Sequence, residues 1–220
     1  MAKRPVFVVV PKKVLFVRCE TEFEFFGGFS DKQKQRCIRS LHESFSKRYP
    51  EKKILEISGK SEDPLGVQLS AFNLMMETKS GKKLSVESAF QGSKVFEKGG
   101  PYVDLLDAPS IAAKKDGRLR SSGAVIGFRL EGEDFPTEPK TLFYHWLYIN
   151  ALAHQPELGD RVMEYDAFTD IVFNPQKSLN CQAEAVAIYV SLRRQGLLEA
   201  ALQDLGSFQK IVYAVTLDLY

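Results

Sequence analysis

Between Val86 and Phe96 the chain reads Val-Glu-Ser-Ala-Phe-Gln-Gly-Ser-Lys-Val-Phe, and this stretch constrains the fold more than any other. Its spacing predicts a helix from Leu84 to Phe96. At 3.6 residues per turn, Glu87, Gln91 and Lys94 fall at i, i+4 and i+7 on one stripe. Val86 and Phe90 flank that stripe on one side and Val95 on the other, with Ala89, Gly92 and Phe96 at the back. A helix that is apolar or small nearly all round is enclosed by other elements. Burial of this helix would take one acid, one amide and one amine inside. A buried carboxylate and ammonium are costly unless paired or put to use. Two readings stay open on spacing alone. One is a lined pocket with Glu87 as acid/base and Lys94 as amine nucleophile or anion contact. The other is a commonplace charge stripe facing water.

The 220 residues are 44% hydrophobic and 26% charged, enough to bury a core and too apolar for a disordered tail. The run Val6–Val10 stops at Pro11 and Lys12, too short for a membrane span or a signal core, so a cytoplasmic protein with no membrane partner is expected. Cys19, Cys37 and Cys181 are odd in number and far apart, and His42, His145 and His154 form no H-E-x-x-H. No disulfide framework, metal or cofactor is expected. Net charge is +2, but residues 1–60 hold 14 Lys+Arg against 7 Asp+Glu, and residues 61–220 hold 16 against 21. The basic first quarter could meet a polyanion or be a solvated helix face.

Along the chain, Val6–Val10 and Val14–Arg18 read as β-branched strands joined by a turn at Pro11–Lys13. Asp31 is expected as the N-cap of a helix to Tyr49, packing Ile38, Leu41 and Phe45 and carrying Lys32, Lys34, Arg36, Arg39 and Lys47 on its other face. Lys53–Ser58 reads as a strand and Gly59–Gln68 as a loop. Pro109–Leu119 reads as a helix with a basic tail of Lys114, Lys115, Arg118 and Arg120. Ala124–Leu130 is a strand and Thr141–Ala153 an aromatic helix, while Phe168–Phe173 fits a strand or a turn of helix. Asn180 suits the N-cap of a helix through Arg194. Leu197–Leu205 suits a short helix, and Lys210–Leu217 a closing strand. Strands and helices without strict alternation give an α+β class with helices dominant.

The 86–96 string, preceded by Leu69-Ser70-Ala71-Phe72-Asn73, resembles the NADAR (YbiA-like) family of NAD and ADP-ribose metabolism. The match rests on Ser70 and Phe72 in a Leu-Ser-x-Phe segment, then Glu87, Phe90, Gln91 and Lys94. Phe25–Ser30, Gln33–His42, Leu142–Leu152 and Ala167–Leu192 resemble the branch of antitoxins paired with DNA ADP-ribosyltransferase toxins. The resemblance implies a helix-rich NADAR/YbiA-like fold that removes ADP-ribose from guanine bases in DNA, possibly RNA, against a cognate toxin. It implies residues 1–60 as a nucleic-acid-facing part of the globule and 61–220 as the ADP-ribose-binding catalytic part. Lys94 is then the nucleophile of a lysine imine and Glu87 the proton shuttle, or else water attacks directly, Glu87 stabilises the charge and Lys94 only binds phosphate or a ribose hydroxyl. The rival function is a non-catalytic protein that sequesters ADP-ribosylated nucleic acid or the toxin; hydrolysis of a small ADP-ribose metabolite is a third.

Other residues have two readings each. Trp146 and Asn150, at i, i+4, with Tyr144 and Tyr148, could stack adenine or a base, or simply build a core helix. Ser70, Phe72, Asn73, Phe90, Gln91 and Asn180 are the remaining candidate ligand contacts. Phe29, with Lys32, Lys34 and Arg36, would form the nucleic-acid face.

Overall fold

The run Val6–Val9 is apolar without alternation because the strand carrying it is buried on both sides. In the computed structural model, which describes residues 1–11, 14–28, 30–176 and 178–213, two compact units form. The first comprises Met1–Ser70 with Pro156–Tyr220, and the second Ala71–Gln155. This division differs from the expected boundary at residue 60. The reason is that strand β9 pairs with strands from the N-terminal segment.

The first unit starts with β1 (Ala2–Val9), β2 (Phe16–Phe23), α1 (Asp31–Ser46), β3 (Ile54–Glu56) and α2 (Pro64–Gln68). The second holds β4 (Met75–Glu77), β5 (Lys83–Ser85), α3 (Val86–Gly92), β6 (Lys94–Phe96), a 3₁₀ turn Val103–Leu106, α4 (Ser110–Lys115), α5 (Arg118–Ser121), β7 (Val125–Leu130), β8 (Glu133–Phe135) and α6 (Leu142–Ala153). The chain completes the first unit with α7 (Pro156–Val162), β9 (Ala167–Thr169), α8 (Gln182–Arg194), α9 (Leu198–Ala201) and α10 (Leu205–Tyr213). The class is α+β.

In the first unit the described strands run in the order β2-β1-β9-β3, antiparallel except for the parallel pair β3 and β9. Val6, Val8 and Phe23 pack against Cys37, Ile38, Leu41 and Phe45 of α1. Helix α8 packs against β1 as well. Ser30, rather than Asp31, caps α1, its hydroxyl accepting from the Gln33 amide at 3.3 Å.

Several expectations need correcting. Gly59–Gln68 is not all loop: Asp63 accepts from the Leu65 amide at 2.8 Å, and Pro64 starts α2. Residues 109–119 split at Asp116, whose carboxylate takes the Arg118 amide and side chain. Asn180 does not cap α8; Cys181 holds that position. Lys210–Leu217 is no strand as far as it is described. Asp204 accepts from the Ser207 amide, and α10 buries Phe208. Lys12, Lys13 and residues 214–220 lie outside the described residues.

At the end of β9 two buried carboxyls are neighbours. Glu56 accepts from Ser58 Oγ (2.6 Å), Thr169 Oγ1 (2.7 Å) and the Ile171 amide (2.8 Å). Burial raises its pKa against those donors. Asp170 accepts from the Val172 and Phe173 amides at 3.1 Å and from the Gln182 side chain. Burial, then the charge of Glu56, pushes Asp170 up to about 8, so Asp170 holds the proton. His42, its Nε2 at 2.8 Å from Thr169 Oγ1, is pulled down to about 4 by burial and is neutral.

A carboxyl raised by folding keeps its proton where the unfolded chain has lost it. The stability Asp170 contributes is full below about pH 4, the unfolded value, and is lost as pH rises through about 8. Asp170→Asn keeps the acceptor and stays neutral. Thermal melts between pH 4 and 9 should fall less steeply for this variant than for the parent chain. Parallel curves would show that Asp170 does not govern the alkaline loss.

Candidate active site

Helix α3 is shorter than its apolar pattern predicts. Ser85 caps it, accepting from the Ser88 amide at 3.0 Å, so Leu84 belongs to β5. At the other end the helix stops at Gly92. A Cβ there would come within 2.6 Å of Leu106 Cδ2 and 3.2 Å of the Leu106 amide nitrogen, so the glycine lets the 3₁₀ turn lie against the helix. Lys94–Phe96 then pairs with β7, Lys94 opposite Phe128. Lys94 is therefore on a strand, which corrects the expectation of a continuous helical stripe.

The first-turn amides of α3 fix the preceding segment. Val86 donates to the Leu74 carbonyl and Glu87 to the Ala71 carbonyl, both at 2.9 Å. Ser110 Oγ lies 2.9 Å from the Phe72 carbonyl and 2.8 Å from Ser85 Oγ. These bonds tie the Ala71–Leu74 stretch to the start of the helix that carries Glu87.

Despite the change of element, the three polar side chains form one chain. Gln91 Nε2 donates to Glu87 Oε1 at 2.8 Å, and Lys94 Nζ donates to Gln91 Oε1 at 2.7 Å. Glu87 and Gln91 are buried and Lys94 half-buried. Phe90 forms the apolar floor, stacked among Phe128, Phe143 and Tyr144, with the Lys94 amine 4.6 Å from its ring centroid. Burial lowers the Lys94 pKa to about 8; the charge of Glu87 raises it and that of Lys114 lowers it further. At pH 7 roughly a tenth of such an amine is neutral, against about three in ten thousand at the ordinary lysine value. The arrangement can offer a nucleophilic amine beside a carboxylate without high pH.

The other expected contacts are distributed as follows. Phe72 lies under a lysine, Lys114, whose amine is 4.8 Å from its ring centroid, and Asn73 is exposed beside it. Trp146 is half-buried on α6, and Asn150 Nδ2 donates to the Trp146 carbonyl at 2.8 Å. Tyr144 and Tyr148 are core residues. Ser70 and Asn180 belong to the first unit, where Ser70 Oγ and Asn180 Oδ1 are buried without a hydrogen-bond partner among the described residues. On α1, Lys32 is exposed and Lys34 half-buried. Arg36 stacks at 3.9 Å over the Phe26 ring. Arg39 pairs with Glu62, and Lys60 with Asp31. Phe29 lies outside the described residues. Among the described residues, no helix is long and apolar enough to cross a membrane, and no cluster of three or more His, Cys, Asp or Glu could hold a metal.

With this geometry in place, similarity decides the family. The family model for the DarT1-associated NADAR antitoxin matches residues 2–218. The chain belongs to that NADAR antitoxin family. Its role is accordingly that of an antitoxin in a DarT1 toxin system. No curated protein matches the chain. Two features of this NADAR chain escaped the sequence reading. Lys114, read only as part of a basic tail, stands 3.5 Å from Glu87 Oε1. Glu56 gave no signal either, since it alternates ordinarily in a short strand.

The bridging amide is testable by stability. Gln91→Met keeps volume but takes a donor from buried Glu87 and an acceptor from Lys94. Urea denaturation should show a loss of about 1–3 kcal/mol, the cost of leaving buried polar groups short of a partner. An unchanged midpoint and slope would mean that water or another group replaces the amide at no cost.

Proposed function

We propose that this antitoxin is an ADP-ribosyl-guanine glycohydrolase acting on DNA, working through a lysine imine. The observation that carries the reading is the Glu87–Gln91–Lys94 chain, with the amine partly neutral at physiological pH. The ADP-ribosyl guanine substrate is an N-glycoside between the ribose C1 and the exocyclic amine. Protonation of the ribose ring oxygen breaks its bond to C1 and leaves an iminium with the guanine nitrogen. The neutral Lys94 amine adds to C1. A proton passes from the lysine nitrogen to the guanine nitrogen by way of Glu87, and the C1–guanine bond breaks. Guanine leaves with its amine restored. Water adds to the remaining lysine imine, expels Lys94 and releases ADP-ribose.

Gln91 supports this route because its carbonyl accepts from Lys94 without adding a negative charge. A carboxylate in the same place would hold the lysine as ammonium. The proposed ligand contacts in the second unit are Phe72, Asn73, Phe90, Gln91, Trp146 and Asn150. The proposed nucleic-acid face is the exposed side of α1.

Borohydride added during turnover on ADP-ribosylated single-stranded DNA should fix ADP-ribose covalently to Lys94. Lys94→Arg keeps the charge but cannot form the imine, so trapping and turnover should both disappear. Glu87→Gln should slow release of ADP-ribose by roughly 10²–10⁴-fold with binding retained. Near-normal turnover in Lys94→Arg would eliminate the imine. Tight binding with no release by the parent chain would favour sequestration instead.

The α1 face is tested separately. Replacing Lys32, Lys34 and Arg36 by Ala should weaken binding and flatten its salt dependence. Each lost phosphate contact should take ~0.9 from the log–log slope on duplex or ~0.7 on single strands. An unchanged slope would remove α1 from the interface.

A further inference from the structure

Glu87 has a second cation beside it that the proposed reaction leaves unused. Lys114, on the last turn of α4, places Nζ 3.5 Å from Glu87 Oε1 and 4.8 Å from the centroid of the Phe72 ring. Its side chain is 54% exposed, whereas that of Glu87 is 6% exposed. Lys114 therefore lies on the solvent side of the carboxylate. Exposed ion pairs contribute little to stability, so this pair would mean little if both partners faced water. Here one partner is buried, and its same oxygen already accepts from Gln91. The ammonium is further held against an aromatic face. That face belongs to the segment whose backbone is bonded to the start of α3.

We propose that Lys114 is a positioning residue: it pins the Glu87 carboxylate from the solvent side and, as a fixed positive charge, keeps the Lys94 amine available as a nucleophile. This rests on the reading of Lys94 as the nucleophile. The charge of Lys114 lowers the Lys94 pKa, in the same direction as burial and against Glu87. Several other charges on elements packed about the site are paired with one another. Asp104 of the 3₁₀ turn is bound by Arg118, and Arg129 of β7 by Asp134, each at 2.6 Å. Lys115 is exposed on α4. Helix α6 presents the rings of Phe143 and Tyr144 to Phe90. Lys114 is thus the cation that offsets Glu87, and the NADAR site has two lysines around one carboxylate. One is bridged by an amide; the other is directly paired.

The experiment titrates the Lys94 side chain by NMR in the full chain, in Lys114→Gln and in Lys114→Arg, alongside the pH profile of borohydride trapping. In Lys114→Gln the Lys94 titration should move upward by about half a pH unit to one unit, the effect of losing a nearby like charge. Trapping at pH 7 should then drop roughly three- to tenfold and recover at higher pH. Lys114→Arg should keep the parent profile. An unmoved Lys94 titration in Lys114→Gln would overturn the proposal, as would a loss of trapping equal at every pH. If the parent chain itself traps nothing, the hydrolase reading fails, while the titration still decides the part played by Lys114.

Discussion

An amide stands between the acid and the amine, and the site depends on that interposition. Gln91 gives its N–H to Glu87 and its carbonyl to Lys94. A direct contact would lock the two as an ion pair in the interior, with the lysine charged. The amide satisfies both groups and transmits no full charge. Burial can then lower the lysine pKa to about 8, while the carboxylate stays one amide away.

The rest of the second unit serves to hold those three side chains. Ser85 starts α3 where Glu87 falls in the first turn, a favourable place for a negative charge. Gly92 ends it under the 3₁₀ turn, and β7 takes the chain up so that Lys94 returns toward Gln91. Phe90, Phe128, Phe143 and Tyr144 form the aromatic layer beneath. The first unit has a separate buried polar group at Glu56, Asp170, Thr169 and His42. There a proton held by Asp170, rather than a countercharge, keeps two carboxyls inside, and Thr169 and the Ile171 amide donate to Glu56. In both groups hydrogen bonds or neutralisation remove most of the cost of burying the charge-bearing side chains.

Much of this could be read from local pattern. The 3- and 4-residue spacing of Ile38, Leu41 and Phe45 gave the buried face of α1, and the β-branched run Val6–Val10 gave the strand that becomes β1. The aromatic run at 141–153 gave α6 almost to the residue. The failures have local causes as well. Periodicity ran the 84–96 helix too far, because small and apolar residues fit a helix, a turn and a buried strand alike. Lys210–Leu217 reads as strand by its β-branched residues, but over its described part, to Tyr213, the Asp204 cap and the burial of Phe208 decide for helix.

By itself the sequence determined the α+β class, the Glu87–Gln91 contact at i, i+4 and, by resemblance, the family. Each depends on residues close in the chain or on recurring strings. Only the tertiary structure decided that Lys94 leaves the helix yet still meets Gln91, and that Lys114, 27 positions beyond Glu87, stands beside it. It also decided that Thr169 joins Glu56 to His42 from distant segments. Such contacts depend on where strands pair and where turns let backbones approach. No periodicity encodes that placement, because it is set by packing among elements far apart in the chain.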